Sequence, residues 1–206
     1  MQIKKLKIVA ESKKKCTFAE NYNEMEYQKT DIEGVYVIEP RVFNDARGYF
    51  MEAWKQAEFN EQVGPVSFIQ DNESKSSFGV LRGLHYQKGD ASQAKLVRVI
   101  KGRVLDVAVD IRRSSPTFGR HIKVELSEEN KRQLFIPRGF AHGFLVLSDE
   151  AIFTYKVDNP YAPQTEAGIR WDDPDLAIDW PIDPAQVLTS EKDLKQPLLR
   201  DAEVFE

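Results

Sequence analysis

Histidine and cysteine are scarce in this chain: 206 residues contain three histidines, His85, His121 and His142, and a single cysteine, Cys16. One cysteine excludes an intramolecular disulfide and favours a reducing, cytoplasmic setting. No stretch of about 18 apolar residues occurs, so no segment is expected to span a membrane. Lys4 and Lys5 are not followed by the apolar run that a secretory signal needs. Positive charge is not in excess either. Lys and Arg number 29 against 33 Asp and Glu, and the net charge of −4 excludes a nucleic-acid binder driven by overall basicity while leaving room for a local cationic pocket. Internal repeats and low-complexity tracts are missing. What is present is an apolar fraction of 41% with 11% aromatics, enough to bury a core in one domain.

The first 29 residues differ from the rest. Lys13–Lys15 and the acidic residues between 20 and 26 alternate in charge without apolar periodicity, which reads as an N-terminal extension that is mobile or loosely docked, or that adds a strand. Residues 30–206 read as a single domain. From Gly34 onward the pattern is one of short strands, at residues 35–38, 49–54, 96–100, 122–126, 134–136, 143–147 and 152–157, bounded by Gly, Pro, Asn, Asp or Ser. The clearest is residues 103–111, where Leu105, Val107, Val109 and Ile111 alternate with Asp106 and Asp110. Helical patterns are confined to residues 55–63 and to residues 190–202, the latter interrupted by Pro197. Many short strands at close spacing predict a mainly β fold, a sandwich or jelly roll with a few short helices, one of them near the C-terminus.

Two of the histidines stand in motifs. Gly79 precedes His85 by six positions, and Pro137, Gly139 and His142 are spaced as Pro-x-Gly-x-x-His. Both patterns resemble the two cupin motifs. In the first, Gln87 stands where a second histidine is usual. Lys95, separated from Gly102 by six residues, stands where a glutamate is usual. A divalent cation wants imidazole, thiolate or carboxylate donors, and an ammonium supplies no lone pair at neutral pH. No tightly held catalytic metal is therefore expected. A lysine pointing into an apolar barrel serves an anion, or an oxygen becoming one; the bland reading is a surface lysine on an edge strand. Two histidines without a metal suit proton transfer. Tyr155, on the strand at 152–157, is a phenol that could face the same cavity, although a strand tyrosine is ordinarily packing.

The ordered string of segments from Thr30 to Asp201 resembles the dTDP-4-dehydrorhamnose 3,5-epimerase family. Its carriers are Glu39-Pro-Arg-Val-Phe43, Asp45-Ala-Arg-Gly48, Phe68-Ile-Gln-Asp-Asn72, Val80-Leu-Arg-Gly-Leu-His85, Asp106-Val-Ala-Val-Asp-Ile-Arg112, Ser115-Pro-Thr-Phe-Gly119, Ile136-Pro-Arg-Gly-Phe-Ala-His142, Tyr155-Lys156 and Gly168-Ile-Arg-Trp171. The resemblance implies a cupin jelly-roll homodimer, with sites shared between subunits, that acts without a cofactor on a nucleotide sugar, dTDP-4-dehydro-6-deoxy-D-glucose. It implies that His85 is the catalytic base, Asp193 the carboxylate paired with it, Tyr155 the acid and Lys95 the cation beside the enolate. His142 falls in the same pocket. Arg47, Glu52, Gln70, Asn72, Arg82, Glu166 and Lys192 fall on substrate contacts, and Tyr161 on the residue that stacks on thymine. The resemblance covers none of residues 1–29.

Other readings remain at this level: a mono-epimerase inverting only C3 or C5, a sugar ketoisomerase, a metal-dependent cupin oxygenase, and a sugar-binding cupin without activity. Gln87 and Lys95 oppose the oxygenase. A binding protein has no use for His85, Tyr155, Lys95 and Asp193 together.

Overall fold

The structure, a computed structural model, describes residues 25–206. Most of the expected N-terminal extension lies outside the described residues, but its last residues belong to the fold, because Glu26–Lys29 pairs antiparallel with Tyr36–Glu39. The strands in chain order are β1 (Glu26–Lys29), β2 (Tyr36–Glu39), β3 (Val42–Asp45), β4 (Gly48–Met51), β5 (Gln70–Ser77), β6 (Leu81–Gln87), β7 (Lys95–Lys101), β8 (Arg103–Asp110), β9 (His121–Ser127), β10 (Gln133–Ile136), β11 (Phe140–Val146), β12 (Glu150–Val157) and β13 (Glu166–Gly168). Two short helices, α1 (Gln56–Gln62) and α2 (Glu191–Leu194), accompany them. One sheet runs β1-β2-β10-β7-β12-β5 and the other β13-β6-β11-β8-β9, while β3 and β4 form a separate hairpin. The two large sheets stack as the jelly-roll sandwich that the strand pattern predicts. No helix among the described residues is long and apolar enough to cross a membrane.

Alternation along each strand divides the apolar residues into layers. In β8, Val104 and Ala108 face inward to a core shared with Val97, Leu134, Phe144 and Phe153. Leu105, Val107 and Val109 face outward. They are covered by the C-terminal segment, through Ile169, Leu176, Trp180, Leu199 and Phe205. That coat makes β8 a strand buried on both faces, so Asp106 and Asp110, which the alternation sets apart from the apolar side, are also fully buried. On the far side, α1 presses Phe59 against Trp54, Phe68 and Phe135 with ring centroids 4.8, 5.7 and 5.0 Å apart.

Two strands of the site escape the apolar pattern. β5 reads Gln-Asp-Asn-Glu-Ser-Lys-Ser-Ser and is an edge strand bonded to β12 alone. Its outward residues are held by ions instead of packing, in Asp71–Lys156 and Lys75–Glu150 pairs of 2.6 Å each. β6 is interrupted by Gly83. The helix predicted over residues 190–202 is shorter, limited to α2 and a 3-10 turn at Leu199–Asp201, because Pro197 cannot continue it.

Gly83 has a backbone φ of +134°, and a Cβ there would meet Gly143 Cα at 2.5 Å and His142 O at 2.9 Å. β6 and β11 therefore approach each other at a point where neither can carry a side chain, next to the register shift between His142 and Phe144. Gly48 has a similar φ of +130° but open space around its Cβ position. Gly83→Ala should lower unfolding stability by about 2–3 kcal/mol. Gly48→Ala carries only the dihedral strain and should cost about 1 kcal/mol. Equal losses in urea unfolding would show that the close approach contributes nothing.

Candidate active site

Between the sheets lies a cleft of about 540 Å³. β6 and β11 supply one wall and β12 the other. Phe144 and Phe153 stack at 4.2 Å to form an apolar surface against it. His85 and His142 face each other in register across β6 and β11. Lys95 enters from β7, Tyr155 from β12, and the stretch from Leu188 to Asp193 closes one side.

The orientation of His85 is fixed by Asp193. His85 Nε2 lies 2.5 Å from Asp193 Oδ1, across 108 positions of sequence. Leu84 and Tyr86 anchor β6 outward in the C-terminal coat, which leaves His85 turned toward the cleft. Asp193 is brought there by α2. Ser190 caps that helix by accepting from the Asp193 N–H at 3.1 Å, an N-cap of the usual kind. Thr189 Oγ1 donates to Asp193 Oδ2 at 3.4 Å. Burial pushes the Asp193 carboxyl up, but hydrogen bonds from His85, Ser190 and the Gly83 backbone outweigh it and hold the group below its ordinary value.

His142 is fully enclosed, and burial drives it toward the neutral imidazole against the opposing pull of Asp106. Both Asp106 oxygens lie 3.0 Å from His142 Nε2. The Lys95 ammonium is brought down to about 8 by burial, which the charges of Asp106 and Glu166 partly offset. Lys95 is thus a half-buried lysine lining the cleft from an interior strand, and not a surface lysine on an edge strand. Burial raises the Tyr155 phenol, with the Arg82 charge opposing, so the hydroxyl keeps its proton at neutral pH. Arg82 Nε donates to Ser76 Oγ at 3.1 Å. At the rim, Glu166 Oε2 accepts from Tyr161 OH at 2.7 Å and pairs with Lys192 Nζ at 2.6 Å. These partners hold Glu166 below the ordinary carboxylate range although burial works against them.

The fold thus assembles His85, Lys95, Tyr155, Asp193, His142, Arg82 and Lys192 around one cleft, with Tyr161 and Glu166 tied to its rim. Gln70 and Asn72 lie just outside it on β5, Gln70 Nε2 donating to Asn72 Oδ1 at 2.7 Å, and Asn72 sits opposite Tyr155 in register. Arg47 and Glu52 are not brought in. Arg47 is at the tip of the β3–β4 hairpin, ion-paired with Asp45 and 90% exposed, and Glu52 lies 4.0 Å from Lys55. Sequence reasoning missed Asp106 as a partner of His142, and Glu73, Ser74 and Thr189 near the cleft. The Asp106 signal was a carboxylate on the inward face of a doubly buried strand.

The residues in the cupin-ligand positions are poor metal donors. Gln87 is buried and spent on the backbone: its amide donates to the carbonyls of Ala91 and Pro160 at 2.7 and 3.1 Å and accepts from the Ala162 N–H at 2.7 Å. Among the described residues no group of three or more His, Cys, Asp or Glu is arranged to hold a metal ion.

The family model for dTDP-4-dehydrorhamnose 3,5-epimerase matches residues 29–201. A protein of that name from Shigella flexneri is 56% identical over 178 residues, covering 86% of this chain and 97% of the relative. The crystal structure of the dTDP-4-dehydrorhamnose 3,5-epimerase from Elizabethkingia anophelis NUHP1 superposes with a TM-score of 0.83 at 53% identity, covering 86% of this chain and 97% of that one. A dTDP-6-deoxy-D-glucose-3,5-epimerase from Legionella pneumophila, in complex with dTDP-4-keto-L-rhamnose, superposes with a TM-score of 0.84 at 49% identity, with 87% and 95% of the two chains covered. The chain belongs to the dTDP-4-dehydrorhamnose 3,5-epimerase family.

Proposed function

We propose that this protein inverts C3 and C5 of dTDP-4-dehydro-6-deoxy-D-glucose to give dTDP-4-dehydro-L-rhamnose. The observation that carries this reading is the convergence of a carboxylate-held histidine, a protonated tyrosine and a half-buried lysine on one cleft. The hydrogens on C3 and C5 are both alpha to the C4 ketone, so removing either leaves an enolate. His85 takes the proton, and Asp193 fixes the imidazole and stabilises its charged form. Lys95 stands as the cation for the enolate oxygen. A preorganised donor of this kind is worth about 3–4 kcal/mol. Tyr155 returns a proton from the opposite face, which inverts the centre, and the cycle repeats at the other carbon. Between the two cycles His85 releases its proton to solvent and Tyr155 regains one, which restores the base and the acid for the second carbon. Arg82 and Lys192 suit the diphosphate, the guanidinium because its fork bonds phosphate oxygens in pairs. Tyr161 and Glu166 at the rim suit the nucleoside, and Gln70 and Asn72 offer amide donors and acceptors beside them.

The reading extends to a homodimer. The β3–β4 hairpin exposes Phe43, Tyr49 and Phe50 at 41, 55 and 70%, an apolar patch that favours a protein contact. It carries Arg47 away from this chain's own cleft, with Glu52 just beyond it. Both residues are read as completing the neighbour's site. Residues 30–206 are read as one catalytic domain in a cytoplasmic enzyme, with residues 1–29 ahead of it.

In deuterated water, proton NMR of the 4-keto sugar nucleotide should show exchange at both C3 and C5. Exchange at one carbon alone would make the protein a mono-epimerase, and none at all would leave a binding protein. His85→Asn should abolish exchange and epimerisation together. Tyr155→Phe should lose inversion by about 100- to 10,000-fold yet keep some exchange through His85; wild-type inversion in that variant would reduce Tyr155 to packing. Activity should survive exhaustive chelation, and loss of a stoichiometric metal with loss of activity would overturn the proton-transfer reading. Mixing Arg47→Ala with His85→Ala protein should restore part of the activity, because one mixed site keeps both residues. No recovery despite proven subunit exchange would place each site within one chain.

A further inference from the structure

Asp106 is fully buried on β8, on the strand face that Val104 and Ala108 turn toward the core between the sheets. Its position in the strand lies between Val104 and Ala108, both in the apolar core, and opposite Phe144 on β11 and Val124 on β9. An apolar side chain there would pack at no desolvation penalty, whereas a carboxylate in such surroundings is strongly disfavoured unless paired. Its one hydrogen-bonding partner among the described residues is His142, through both oxygens at 3.0 Å. No arginine or lysine forms an ion pair with it at bonding distance among the described residues. The cation whose charge it supports is Lys95, on the facing sheet and lining the same cleft as His142.

We propose that Asp106 is a positioning residue that keeps Lys95 charged and locks His142 with its Nε2–H donated away from the cleft, leaving Nδ1 as an acceptor. The inference rests on the epimerase reading only for the use made of Lys95. The geometry has two consequences. A neutral imidazole that donates Nε2–H to a carboxylate must be the tautomer with a bare Nδ1, so His142 offers a lone pair and is no competing acid beside His85. An isolated ammonium among Phe144, Phe153 and Val97 would shed its proton; a fixed carboxylate nearby counters this without occupying the cleft. The charged or titratable groups around Lys95 are Asp106, His142, His85, Glu73, Glu166, Asp193, Arg82, Lys192 and Tyr155. Of these, Asp106 and Glu166 are the carboxylates that raise the ammonium, and Glu166 is already engaged by Lys192 and Tyr161.

Asp106→Asn keeps the shape and one hydrogen bond to His142 but removes the charge. Its alkaline limb in the pH profile of kcat/KM should move to lower pH by about 1 unit or more, while the acid limb stays in place. A residue that merely supports the fold would lower the rate without moving the limb. In parallel, competitive acetylation with acetic anhydride, read by mass spectrometry against exposed Lys195, reports the fraction of neutral Lys95 whether or not the protein is an epimerase. At pH 7 the Lys95 labelling rate should rise about fivefold in Asp106→Asn, because a 1-unit drop from about 8 takes the neutral fraction from about one-tenth to about one-half. Asp106→Ser, smaller and also neutral, serves if Asp106→Asn does not fold by circular dichroism. Unchanged Lys95 labelling in the folded variant overturns the proposal. Absent epimerase activity in the wild type, with labelling raised in the variant, would overturn the functional reading and leave the role of Asp106 standing.

Discussion

The pairing of β6 with β11 is the constraint on which the rest of the site depends. It sets His85 opposite His142, and it is possible only because Gly83 and Gly143 let the two backbones approach where side chains would collide. Everything else is brought to that pair: Asp193 from the C-terminal coat, Lys95 and Tyr155 from the facing sheet, and Asp106 from the strand on the other side of β11. Strands alternate their faces, so Leu84 and Tyr86, the anchors of His85, lie immediately beside it in sequence. Phe153, two positions before Tyr155, shares its face and packs beside it with ring centroids 6.2 Å apart. The packing that stabilises the sandwich and the packing that aims the reactive groups are the same contacts.

A second constraint is charge in an apolar interior. The carboxylates around the cleft each have a partner: Asp193 with His85, Asp106 with His142, Glu166 with Lys192 and Tyr161. Lys95 forms no ion pair at bonding distance among the described residues, and its pKa is brought down to about 8. That placement leaves a cation free to meet an anionic oxygen that arises only during reaction, where a low local dielectric gives it most effect. The same placement makes its protonation sensitive to its neighbours.

Much of this was legible in the chain itself. Alternation over residues 103–111 foretold β8, and the spacing of Gly79 to His85 and of Pro137 to His142 foretold that two histidines would share a barrel. The substitutions at Gln87 and Lys95 turned the chemistry from metal ligation toward proton transfer. β5 was invisible because an edge strand held by ion pairs needs no apolar face, and β6 because Gly83 breaks its period. The partnership of Asp106 with His142 was hidden because periodicity assigns a face to a residue but cannot say that both faces are covered. The distant Arg47 and Glu52 match the family pattern in sequence, yet a single chain does not bring them to its own cleft.

The C-terminal coat has a consequence for how activity is lost on warming. It spans the outer face of the five-stranded sheet as loops and single turns, joined to the barrel through β13, two isolated bridges at Leu188 and Phe205, and side-chain packing. Segments of that kind open at lower free energy than the strands beneath them. Because Asp193 rides on this layer, peeling it back would leave the barrel folded and His85 present but unsupported. Catalytic competence is therefore coupled to a subglobal opening, and the enzyme would be switched off before it is denatured.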